Sequence, residues 1–193
     1  MPHRIAIATE GPSDRAVLEV LCAKQGFPAK VASAQGKADL FRSFDKMLRV
    51  LDATFDPTHY LVVADLQPET RCQEDAERWR TEIKKRFPKA RLCLCVWELE
   101  AWLLADPHGV ANTLNRPGFE HPNPERIGDP RPSQVLETLF RERFGFKRGA
   151  AYHKEADGRD LAALLDLERA ARASPSLAHF LRIIRTRQSR LLT

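Results

Sequence analysis

Three short aliphatic runs, RIAIAT (Arg4 to Thr9), YLVVA (Tyr60 to Ala64) and RLCLCV (Arg91 to Val96), constrain this chain more than anything else in it. Each has the length and the β-branched or small apolar content of a strand buried on both faces, which is the habit of parallel sheets. Between them lie amphipathic stretches of helix length. SDRAVLEVLCAKQ follows the Gly11-Pro12 break and closes at Gly26. Ala38 to Phe55 repeats Leu40, Phe41, Phe44, Met47, Leu48 and Leu51 at helical spacing and stops before Pro57. Gln73 to Phe87 is a charged helix ended by Pro88. Ala29 to Ala34 reads as a further, weak strand. Strands alternating with helices predict an α/β fold with a mostly parallel central sheet flanked by helices and joined by right-handed crossovers.

In such a sheet, functional groups gather beyond the carboxyl ends of the strands, and acids stand there in this chain. Glu10 follows the first run, Asp65 ends YLVVA, and Glu98 and Glu100 follow RLCLCV in W-E-L-E-A-W-L-L-A-D. Each alone has an ordinary explanation. Glu10 complements a helix dipole, and Asp65 forms a turn. Together, converging carboxylates are the usual way to hold Mg²⁺ or Mn²⁺, and neighbouring acids at a sheet end repel unless a cation or a proton intervenes.

After a helix around Leu99 to Ala105 the texture changes. Prolines 107, 117, 122, 124, 130 and 132 and glycines 109, 118 and 128 mark an irregular connection over 107–132. The expected organisation is therefore an α/β domain over 1–106, this connection, and a C-terminal α-helical extension over 133–193 packed on the first domain. The extension should hold helices at Ser133 to Phe144 and Gly158 to Ala171, and a last one begun by the Ser174-Pro175 cap.

Composition narrows the function. Hydrophobic residues make up 43% and charged residues 30%, as in a folded globular protein. No run reaches the roughly 20 apolar residues that span a bilayer, and the apolar start is broken by Glu10, unlike a signal peptide. The expected location is the cytoplasm, with no membrane association. The four cysteines, Cys22, Cys72, Cys93 and Cys95, form no C-x-x-C pair and read as reduced core thiols. A net charge of +5 mildly favours polyanion partners. Part of that charge lies on Lys84, Lys85, Arg86, Lys89 and Arg91, and part on Arg182, Arg185, Arg187 and Arg190 of the last helix. Both clusters also suit a plain solvated helix face. There is no P-loop, H-E-x-x-H, G-x-S-x-G or Rossmann glycine triplet.

E-G-x-S-D (Glu10, Gly11, Ser13, Asp14), the strand-ending Asp65 and E-x-E-A-W-L-L-A-D (Glu98 to Asp106) resemble a TOPRIM-like family of uncharacterised bacterial proteins related to the OLD nucleases and to abortive-infection defence proteins. Tyr152-x-Lys154 and Ser174-Pro175-Ser176 extend the resemblance to the tail. It implies metal or acid–base chemistry at Glu10 and a D-x-D metal pair. Here that pair reads Asp65-Leu66-Gln67, and Glu69, Glu98 or Glu100 is left to stand in for the second aspartate. The implied reaction is phosphodiester hydrolysis with Mg²⁺ or Mn²⁺ held by Glu10, Asp65, Glu98 and Glu100. Glu10 would be the general base and Lys154 would neutralise charge on the phosphate. Arg182, Arg185, Arg187 and Arg190 would track the backbone of DNA or RNA. A separate ATPase partner in antiphage defence is implied as well, and a homodimer is allowed. The alternative is a degenerate TOPRIM-like binding or regulatory subunit that has lost catalysis through Gln67.

Overall fold

The computed structural model describes residues 3–66, 72–120, 123–126, 130–144 and 151–186. Four strands, β1 (Ile5–Thr9), β2 (Ala29–Ser33), β3 (His59–Leu66) and β4 (Ala90–Val96), form one sheet in the order β2-β1-β3-β4, and every pairing is parallel. This is the α/β architecture expected from the aliphatic runs. The weak run at Ala29 is a real strand, held at the edge and registered Ile5 to Ala29 through Thr9 to Ser33.

Period-2 alternation sorts the side chains to two faces. Ile5, Ile7, Leu61, Val63, Cys93 and Cys95 belong to one apolar cluster, whereas Ala6, Ala8, Tyr60, Val62 and Ala64 belong to the other. Two helices, α2 (Lys37–Phe55) and α3 (Cys72–Arg86), cover the second face with Leu40, Phe44, Leu48, Trp79 and Ile83. The first face is covered by α1 (Pro12–Lys24) and by the later helices α4 (Glu100–Leu104), α5 (Pro107–Leu114), α6 (Pro132–Phe144), α7 (Ala156–Leu164), α8 (Leu167–Ala173) and α9 (Pro175–Arg185). Trp102, Leu136, Leu161, Leu177, Phe180 and Ile184 thus share a core with Ile5 and Ile7. Replacing a side chain as large and as fully buried as Trp102 or Phe180 by alanine costs about 3–5 kcal/mol.

Two local expectations change. The connection begins with a helix, because Pro107 sits in the first turn of α5, where its missing N–H costs nothing. The single helix expected from Gly158 to Ala171 is two helices. Leu165 turns out of helical geometry (ψ 127°), and the Asp166 carboxylate accepts the N–H groups of Glu168 and Arg169, starting α8. Apolar periodicity ran through this break and hid it. Other punctuation behaves as its residue types require. Gly26 closes α1 at φ 73°, and the Ser174 hydroxyl accepts the Leu177 N–H to start α9.

Cys22, Cys93 and Cys95 are free and buried, and burial pushes the Cys22 thiol up to about 12, so these thiols are inert core groups. Among the described residues no helix is long and apolar enough to cross a membrane.

Candidate functional site

The parallel sheet places the acids at one end. Glu10 is the first residue past β1, Asp65 is the last but one of β3, and Glu98 and Glu100 lie in the turn and helix after β4. A direct bond links the first two: the Asp65 backbone N–H donates to Glu10 Oε1 at 2.9 Å, so the Glu10 side chain spans the tips of the two central strands. Asp14, in the first turn of α1, turns back toward the same point. Its carboxylate accepts the Gly11 N–H at 3.0 Å and the Thr9 hydroxyl at 3.2 Å.

The backbone after β4 is unusual. Trp97 donates its N–H to the Leu66 carbonyl and adopts φ 69°, a left-handed conformation that costs a bulky residue of order 1–3 kcal/mol. That turn swings Glu98 and Glu100 over the sheet end. Trp97 is buried, and its indole N–H has no partner among the described residues. Glu98 accepts the Ser133 N–H at 3.0 Å, satisfying an open donor at the start of α6. Glu100, 6% exposed, pairs with Lys154 Nζ at 3.0 Å.

The electrostatics of this end are those of an acid excess. Burial raises the Asp65 carboxyl well above its ordinary range, and Asp14, Glu10, Glu100 and Glu98 all push it further in the same direction. Glu10 is raised by burial and by Asp14, against the opposing Asp65 N–H bond and the positive charge of Lys37. Asp14 is raised by burial in spite of its hydrogen bonds and Lys154. Glu100 is also raised by burial, with Lys154 opposing. For Lys154, burial is outweighed by Glu100, Glu98 and Asp65, which hold it protonated. Buried Tyr152 has its phenol pushed up by burial and by Glu100, Asp157, Glu98 and Asp14.

The sequence-predicted Glu10, Asp65, Glu98, Glu100 and Lys154 therefore meet at one end of the sheet. Gln67 and Glu69 lie outside the described residues, as do Arg187 and Arg190. Arg182 and Arg185 do not join the acids. The residue after α9, Thr186, meets His59 at the start of β3, where the Thr186 carbonyl lies 2.7 Å from His59 Nε2. Arg185 bonds Gln25, just past the end of α1, and Glu168. Both arginines stand at the amino end of the strands, across the sheet from the carboxylates. Asp14 is the residue that reasoning from sequence left without a role. An acid in the first turn of a helix reads as a cap, and only the fold shows that it also faces Asp65.

The donor set is carboxylate oxygen, which suits a hard cation such as Mg²⁺ or Mn²⁺, and the site is short of positive charge. Among the described residues no three acids stand close enough around one point to ligate a single ion.

A family described as a domain of unknown function, DUF4276, matches residues 9–185 of the chain. No curated protein matches it significantly. Among solved structures, the chain is similar to the C-terminal region of the Burkholderia pseudomallei OLD protein, with 15% identity, a TM-score of 0.48, and coverage of 95% of this chain and 100% of that one. It is also similar to the C-terminal region of the Xanthomonas campestris pv. campestris OLD protein, with 16% identity, a TM-score of 0.44, and coverage of 94% of each chain.

Proposed function

Since the chain belongs to the DUF4276 family, a domain of unknown function, its activity has to be argued from its own residues, and we propose that it is a divalent-metal-dependent nuclease of TOPRIM type. The observation that carries this reading is Asp65. It is a buried carboxylate at the tip of a central strand, with four other acids raising its pKa and none of the cations nearby pairing with it directly. Holding like charges together in a half-dry site costs stability, and a bound cation removes that cost.

Glu10, Asp65, Glu98 and Glu100 would hold Mg²⁺ or Mn²⁺, which supplies Lewis-acid stabilisation of the phosphoryl oxygens and an acidified water. Burial leaves Glu10 more basic than a free carboxylate, as suits a general base drawing a proton from water. Lys154, held protonated beside Glu100, is placed to offset charge on the scissile phosphate. A role in antiphage defence with a separate ATPase, in the cytoplasm, belongs to this proposal through the resemblance alone.

A second reading, a catalytically degenerate TOPRIM-like binding or regulatory subunit, is favoured by one observation: the described acids do not close around one point. Thermal unfolding with and without Mn²⁺ separates the two. The expected result is a Tm increase of several degrees at millimolar Mn²⁺ in the wild type that disappears in Asp65→Ala, since binding to the native state alone stabilises it. No increase in the wild type favours the degenerate subunit.

A further inference from the structure

The arginines that sequence assigned to nucleic acid lie at the wrong end of the sheet for a strand that must reach the carboxylates, which directs attention to positive charge on the same end. Helices α2 and α3 both begin there, because each follows a parallel strand. The Gly36 N–H donates to the Glu10 carbonyl at 2.8 Å, so the first turn of α2 is fastened to the site. The next residue, Lys37, is near enough to Glu10 for its charge to be felt there.

Between these two helices lies a cavity of about 430 Å³, lined by Lys37, Phe41, Arg42, Asp75, Arg78 and Trp79. Three cations face one acid. The ion pairs that engage them are long and wet: Lys37 to Asp75 at 3.9 Å and Arg42 to Asp39 at 3.5 Å, with the Arg42 side chain 74% exposed. Such pairs exchange readily for a phosphate. The Arg78 guanidinium stacks 4.4 Å over the half-buried Phe41 ring, and Trp79 packs edge-on against the other side of that ring. A planar cation braced on an aromatic ring is a platform for a base, and the volume is in the range of sites that take small ligands.

Resting on the nuclease reading, we infer that the α2–α3 cavity is the substrate-strand subsite. It would take one nucleotide of single-stranded nucleic acid, with its phosphate against Lys37 and Arg42, its base on the Arg78–Phe41 stack, and the strand leading on toward Glu10. A rival basic cavity, lined by Arg80, Arg91, His179, Arg182 and Thr186, lies at the amino end of the strands and faces away from the carboxylates.

The test is fluorescence anisotropy with a fluorescein-labelled oligothymidylate and full-length protein in EDTA, so that neither metal nor cleavage enters. Arg42→Ala/Arg78→Ala alters exposed side chains outside the carboxylate cluster, and circular dichroism confirms its fold. This variant should bind about tenfold more weakly than wild type. Its log Kd against log salt slope should fall by about 1.4, from two lost phosphate contacts at roughly 0.7 each. Arg91→Ala/Arg182→Ala should bind as wild type does. The inference is overturned if the wild type does not bind, if Arg42→Ala/Arg78→Ala binds within about twofold of it, or if the loss falls on Arg91→Ala/Arg182→Ala instead. A missing Mn²⁺ effect sinks the nuclease reading and leaves this binding result intact, so the two failures are distinguishable.

Discussion

Asp65 and Asp106 are both buried aspartates, and the chain treats them in opposite ways. Asp106 is fully buried and answered on every side. Arg169 donates to it through Nε at 2.5 Å and Nη2 at 3.1 Å, and the Asp166 N–H adds a bond at 2.8 Å. Burial alone would raise its pKa, but the bonds from Arg169, Asp166 and Gly109 win and hold it below the usual carboxylate range. Asp65 has burial and four acids acting the same way. An acid whose partners are built into the fold is serving the fold. One whose charge is left over is waiting for something that the chain does not supply.

The largest effect that should separate them is on chemistry. Glu10→Gln keeps a hydrogen-bond acceptor for the Asp65 N–H but removes the base, and should lower Mn²⁺-dependent cleavage by about 10²–10⁴-fold. Asp106→Asn should leave the rate per folded molecule unchanged. Single-turnover cleavage of labelled DNA and RNA checks both, and a wild-type rate in Glu10→Gln would mean that the general base is elsewhere.

Next comes stability. Asp106→Asn leaves Arg169 and an amide N–H poorly answered and should cost about 2 kcal/mol, discounted because Arg169 is partly solvated. Gly109→Ala should also destabilise, since a Cβ there would lie 2.7 Å from Asp106 Oδ2. Asp65→Asn should do the reverse in EDTA and stabilise by about 1 kcal/mol, because it removes a charge that the native state disfavours. Urea unfolding measures all three, and a destabilised Asp65→Asn would show that this carboxylate is compensated after all.

The smallest effect is in pH dependence. A carboxylate with a raised native pKa contributes stability that is full below its unfolded pKa of about 3.9 and is lost as pH rises through the native value. Asp106, with a lowered native pKa, contributes stability present above about pH 3.9 and lost as pH falls through its native value. In EDTA, wild-type Tm should therefore climb as pH falls from neutral toward 5, and this climb should flatten in Asp65→Asn but persist in Asp106→Asn.

These contrasts also explain what could be read from sequence. The strands were legible because parallel pairing buries both faces and leaves unbroken apolar runs, and the acids were legible because they interrupt those runs at strand ends. Asp106 stands in the same E-x-E-A-W-L-L-A-D segment as Glu98 and Glu100, yet nothing local tells that it meets Arg169, a partner more than sixty positions away. The Ser174-Pro175-Ser176 segment was legible as a cap. Its further service was not: Ser176 Oγ accepts the Trp102 indole N–H at 2.6 Å, while Glu125 Oε1 accepts the Ser176 N–H at 3.0 Å. The Arg78–Phe41 platform was hidden for a similar reason, since Phe41 fits a core stripe and Arg78 a solvated face until two helices are set side by side.

The bond from Trp102 to Ser176, together with the Trp102–Phe180 stack, bears on the order in which the molecule can be made. Every acid of the candidate site lies in the first hundred residues, but the wall behind Glu98 and Glu100 is completed by a helix near residue 180. A nascent chain emerging from the ribosome would carry the carboxylates long before it could hold them in place. Charge repulsion among them would act on an open sheet until α9 arrives, so the site should be among the last parts of the protein to mature.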